Sequence, residues 1–168
     1  MSLEDRLAAF RFVRDIPYKI ALSSDEQDYC CSTKVTMLEK LLNNMDLKAR
    51  RILCTFDWTD TPIPADILAL PYDKNDVTHI YLQVLVPETG QWIDCDPTWD
   101  IGLEKAGFPI AHWDGKTATP VAVKAHHIYS EAETQRIQSE YTPDMIARHL
   151  NDHHEFYGAI NEWLAEIR

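Results

Sequence analysis

Long apolar runs are missing from this sequence. No stretch approaches the ~20 consecutive apolar residues that a membrane helix needs, so no spanning helix is expected. Cysteine is scarce, with Cys30, Cys31, Cys54 and Cys95 the only four in 168 residues. No charged segment followed by an apolar run opens the chain as a signal peptide would. Free thiols in a reducing cytosol are therefore expected, and a cytoplasmic location with them. Positive charge is also short: 16 Lys and Arg stand against 27 Asp and Glu, a formal net charge of -11. Such a surface repels nucleic-acid phosphate and anionic lipid, which leaves a peptide, a protein or a small molecule as the expected partner. Internal repeats, linkers and composition breaks are absent as well. One domain over residues 1–168 is expected, its oligomeric state left open.

A hydrophobic content of 45% in a chain of this length suffices for a core without staples. Leu3, Leu7, Phe10 and Val13 recur at three- and four-residue spacings, predicting a helix that stops before Pro17. Val35, Leu38, Leu41, Leu42 and Met45 give the clearest helical stripe, over residues 31–45, with no Gly or Pro inside it. Residues 51–58 form a short apolar run suited to a strand, and residues 57–76, rich in proline, read as a long loop with one helical turn at 65–69. Such a loop is a natural rim or lid for a site. Residues 78–86 and 91–95 flank Pro87-Glu88-Thr89-Gly90 and predict an antiparallel hairpin. Further on, a strand at 121–125, a helix at 130–139 and a helix from Pro143 toward Arg168, interrupted near Gly158, are expected.

Cys31 opens the strongest helix. A thiol has a reference pKa of about 8.5, and the free N–H groups and positive dipole end of a helix favour its thiolate. The same N–H groups suit the oxyanion of a tetrahedral intermediate.

Cys31-Ser32-Thr33-Lys34, the aliphatic ladder after it and Asp46-Leu47-Lys48-Ala49-Arg50 together resemble the nucleophile helix and following turn of transglutaminase-like proteins, relatives of the papain-like peptidases. Asp46 and Lys48 stand where that turn usually has Gly and Pro. Thr78-His79-Ile80-Tyr81 and Trp92-Ile93-Asp94-Cys95-Asp96-Pro97-Thr98-Trp99 resemble the paired motifs that carry the other two catalytic groups. The resemblance spans roughly residues 10–100. It implies an α+β fold with the nucleophile helix packed on an antiparallel sheet, Cys31 as nucleophile, His79 as base and Asp96 as the acid orienting it. It further implies acyl transfer at an amide or peptide bond through a thioester, with a peptide, protein or small amide as substrate and no cofactor or metal. Hydrolysis is preferred to cross-linking because a short single domain offers no obvious second-substrate machinery. The alternative is a binding module that has kept this fold without its reaction.

Hairpin geometry bears on the pairing separately. If Pro87 and Gly90 flank the turn, paired residues sum to 177, Tyr81 faces Asp96, and His79 lies two residues away on the same side. Other features carry less. Gln27 is a candidate second oxyanion donor. His149 and His153 share a helix face, read as solvated in the absence of a third ligand at a recognised spacing. His126 and His127 point to opposite sides of a strand. Cys30 adjoins Cys31 without the two-residue gap of redox motifs and is expected to be buried. Of the five tryptophans, Trp99 is the one expected near the site.

Overall fold

The computed structural model describes residues 2–75 and 77–168. Its four strands, β1 (Ala49–Thr55), β2 (Thr78–Val86), β3 (Gln91–Cys95) and the two-residue β4 (His127–Ile128), form one antiparallel sheet in the order β3-β2-β1-β4. Alternation along the strands divides the core in two. Leu53, Ile80, Leu82 and Val84 look toward α1 (Leu3–Arg14) and α2 (Cys31–Asn43), where Phe10, Val13, Val35, Leu38 and Leu42 cover them. Ile52, Cys54 and Tyr81 look the other way, into a cluster with Trp58, Trp99 and Phe108. There α6 (His154–Ile167) contributes Phe156, Ile160 and Leu164. The fold is α+β, and no helix among the described residues is long and apolar enough to cross a membrane.

Local chemistry sets most boundaries. Ser2 and Asp5 close a capping box at the start of α1, satisfying N–H groups that the first turn leaves free. The loop leaving α2 turns at Asp46, with φ 58, a left-handed conformation that Asp adopts more readily than most residues. In the β2–β3 turn Gly90 has φ 68 and its N–H returns to the Val86 carbonyl. The register follows the sum of 177, with Leu82 opposite Cys95 and Val86 opposite Gln91.

Several expectations need correction. β1 begins and ends earlier than the predicted 51–58, because the Asp57 carboxylate accepts the Thr59 N–H and turns Trp58–Asp60 into a 3-10 segment. Residues 121–125 are no strand: the Ala122 N–H bonds Asp96 and its carbonyl takes the Trp99 indole N–H, so neither is free for a ladder. Sheet pairing there is confined to β4. A 3-10 segment at Ile101–Ala106 was not anticipated. The predicted helix 130–139 is α4 (Glu131–Glu140), capped by Ser130. The last helix divides at His153 into α5 (Pro143–Asp152) and α6, and Gly158 lies inside α6. The His153 ring is held at the break by the Asp73 N–H, whereas Gly158 has only Leu22 near the place of a side chain. Of the predicted loop 57–76, Asp76 lies outside the described residues; α3 (Ala65–Leu68) supplies its one helical turn.

Candidate active site

Cys31 is the first residue of α2, and Cys30 is its extended N-cap. No side chain caps that end directly. Instead Asp28 reaches in, its carboxylate accepting the Cys30 N–H at 3.3 Å and the Thr33 hydroxyl at 2.7 Å. The Cys31 N–H belongs to the first turn of α2, at the positive end of the helix. The Cys31 thiol is half-buried, and Cys30, the His79 ring and the Ile80 N–H all act on its charge. The Cys30 thiol, as donor, favours the thiolate most; burial opposes it; His79 and the Ile80 N–H add to the favourable side, so the Cys31 thiol is held well below its ordinary pKa. Cys30 moves the opposite way, pushed well up by its bond to Cys31 and by burial.

His79, the second residue of β2, is buried. Its Nε2 lies 2.7 Å from Asp96 Oδ2, and Nδ1 is the ring nitrogen not committed to Asp96. Burial alone would push the imidazole down, but the Asp96 charge and hydrogen bond, joined by Cys31, raise it to about 10. Asp96 follows the end of β3 and is fully enclosed. Burial would raise its carboxyl, yet the His79 charge and its hydrogen bond hold it below the usual value. Its remaining bonds come from backbone: Thr98 N–H to Oδ1 at 3.0 Å and Ala122 N–H to Oδ2 at 2.7 Å. The Asp96 N–H itself is bonded by Thr119 Oγ1. Trp99 lies behind this, its indole N–H donating to the Ala122 carbonyl and its ring against Tyr18.

One unexpected cation anchors the assembly. Lys34, one turn along α2 from Cys31, is fully buried and donates to the carbonyls of Arg14 and Thr98, both at 2.9 Å. It thereby ties the end of α1 and the loop after Asp96 to α2. Burial lowers it to about 8, opposed by the charges of Asp100 and Asp96. Asp100 is itself engaged by the Tyr18 N–H and Arg168. The sequence signal for Lys34 was its place on the apolar side of an amphipathic helix, three residues from Cys31.

Of the three residues singled out from sequence, His79 and Asp96 are joined by a hydrogen bond of 2.7 Å, and Cys31 stands at the start of α2, where its charge bears on His79. Asp94, Asp100 and His112 are engaged elsewhere: Asp94 bonds Gln83, Asp100 bonds Tyr18 and Arg168, and His112 bonds Glu104. Gln27 is exposed, with its amide on the Asp28 carbonyl. Within residues 57–75, Trp58 and Ile63 are buried and Tyr72 stacks on Phe156. This segment reaches the site through Phe56, whose ring meets Trp58 at 4.9 Å and His79 edge-on at 6.4 Å. The expectation for Cys30 is corrected, since a residue at a helix cap is only half-covered. His149 and His153 do not form a solvated face either. His153 is buried, with Nδ1 on the His149 carbonyl and Nε2 on the Asp73 N–H. His126 bonds Asp60, and His127 packs against Tyr129. Among the described residues no group of three or more His, Cys, Asp or Glu is arranged to hold a metal ion. No protein-family model matches this chain, and neither does any curated protein or solved structure.

Proposed function

We propose that this chain is a cysteine-dependent acyl-transfer enzyme of transglutaminase-like type, acting on an amide or peptide bond and releasing the acyl group to water. The observation that supports the reading is a thiol at a helix start whose ionisation is favoured by a buried imidazole, itself bonded to a buried carboxylate at 2.7 Å. Those are the parts that make a thiolate nucleophile at neutral pH. The Cys31 thiolate attacks the acyl carbon, and the carbonyl electrons move to oxygen, near the free N–H groups at the start of α2. Collapse expels the amine, which takes its proton from the His79 imidazolium. Water then attacks the thioester, losing a proton to His79, and the acid leaves as the thiolate returns. Asp96 holds the ring and stabilises its charged form. An amine in place of water would give cross-linking instead.

A binding role without chemistry is the second reading. It is favoured by one observation: clefts of about 470 and 390 Å³ lie at Asp60, Phe108 and Val123, and at Leu7, Arg14 and Trp113, and none of the three site residues lines them. The test is turnover of peptide and aryl-amide libraries by the purified chain and by Cys31→Ala. The enzyme reading expects release that falls on the order of ten-thousandfold in the variant. Turnover that survives the substitution sinks it.

A further inference from the structure

Cys30 is the nucleophilic side chain that the proposed reaction does not use. It is half-buried, sits beside Cys31 as the N-cap of α2, and has its sulfur 3.2 Å from Ser32 Oγ. The other two thiols, Cys54 and Cys95, are buried in the strands. We infer that Cys30 and Cys31 form a reversible oxidation site, in which Cys30 resolves the sulfenic acid formed when a hydroperoxide oxidises Cys31.

The inference rests on Cys31 being the activated thiolate of the proposed function, because oxidation selects thiolates that solvent can reach. In the first step the Cys31 thiolate attacks one peroxide oxygen. A sulfur–oxygen bond forms, the oxygen–oxygen bond breaks, sulfur loses two electrons, and the departing oxide takes a proton from the His79 imidazolium. The second step is prepared by the loss of charge on Cys31. While Cys31 is a thiolate, its bond and charge keep Cys30 protonated; a neutral sulfenic acid removes both influences. Cys30 then attacks the Cys31 sulfur, a disulfide forms, and hydroxide leaves with the Cys30 proton as water.

Adjacency makes this disulfide a labile one. Neighbouring Cα atoms are about 3.8 Å apart, short of the usual ~4.4–6.8 Å span of a disulfide. A strained disulfide is readily reduced, so a small dithiol restores both thiols. The pair would thereby spare Cys31 the irreversible steps to sulfinic and sulfonic acid.

The experiment treats the reduced full chain and Cys30→Ser with limiting hydrogen peroxide at neutral pH, followed by intact and peptide mass spectrometry and iodoacetamide labelling. Serine is a favoured N-cap, so the variant keeps α2. In the natural chain the expected product lacks two hydrogens, carries a Cys30–Cys31 link, and regains Cys31 labelling after dithiothreitol. In Cys30→Ser, Cys31 gains two or three oxygens and its labelling is lost for good. Equal irreversible loss in both proteins, or a link to Cys54, Cys95 or a second chain, overturns the resolving role while leaving the thiolate intact. If Cys31 is neither oxidised nor alkylated faster than Cys54 and Cys95, the proposed function falls together with this inference.

Discussion

The Asp96 carboxylate accepts Thr98 N–H on one oxygen, and Ala122 N–H and the His79 ring on the other. An amide cannot serve all three donors, because its NH2 group must face one of them. Asp96→Asn is therefore expected to fold but to lose about 1–3 kcal/mol, read from urea unfolding. Amide release should fall with it, since the uncharged group no longer stabilises the imidazolium. The thiols differ in a related way. Cys31 is depressed well below its ordinary value, Cys54 is pushed by burial to about 12, and Cys95 is raised well above its usual range. Iodoacetamide at pH 7 should thus label Cys31 first, with an acid limb lying below the ordinary ~8.5. Amide release needs the imidazolium too, so its alkaline limb should fall near the His79 value of about 10. Labelling of Cys31 that begins only near pH 8.5 would remove the case for an activated thiol.

At the scale of elements, α2 does two jobs, covering one sheet face with Val35, Leu38 and Leu42 and presenting Cys31 at its start. Lys34 joins them, since its two bonds hold α1 and the Asp96 loop against the helix. Lys34→Met keeps the volume but leaves the Arg14 and Thr98 carbonyls without that donor, an expected cost of about 2–4 kcal/mol in urea unfolding. The pH dependence has a definite sign. Burial lowers Lys34 to about 8, beneath its unfolded value of ~10.4. Its contribution is therefore present above ~10.4 and lost as pH falls through about 8. The stability gap between the natural chain and Lys34→Met should widen from pH 8 to pH 10. A gap of constant size would mean that Lys34 is not titrating in its buried place.

Over the whole molecule, the site lies where the start of α2 meets the beginning of β2 and the end of β3, and so depends on elements distant in sequence. The His79–Asp96 pair links this geometry to stability. His79 is raised to about 10 from ~6.5, so its contribution is complete below ~6.5 and lost as pH rises through about 10. Asp96 is lowered, so its contribution is present above its unfolded value, ~3.9, and lost as pH falls through the folded one. The melting-temperature difference between the natural chain and His79→Leu should consequently be largest near pH 5–6 and shrink toward pH 10. A difference that grows over that range would show that the imidazolium is not the form the fold favours.

Periodicity was enough to determine several elements. The stripe from Val35 to Leu42 specified α2, and the runs on either side of Pro87–Gly90 specified β2, β3 and their register. Local chemistry carries these elements: one face of a helix, alternation along a strand, and a glycine able to turn left-handed. The candidate residues of the site came from the resemblance of their motifs, with Cys31 marked also by its place at the start of a helix. How α2 lies against β2 is decided by tertiary packing, through the core cluster that sets Val35, Leu38 and Leu42 on Ile80, Leu82 and Val84. The enclosure of Asp96 was also invisible in sequence, because its donors Ala122 and Thr98 are backbone groups brought in by folding. Residues 121–125 had the composition of a strand but lost that role once their hydrogen bonds went to the site. Lys34 stood on the apolar side of its helix, but only the closure of α1 and the Asp96 loop around it made it a buried tie. Sequence determines which backbone groups pair locally; the long-range competition for the remaining donors and acceptors is resolved only in the folded chain.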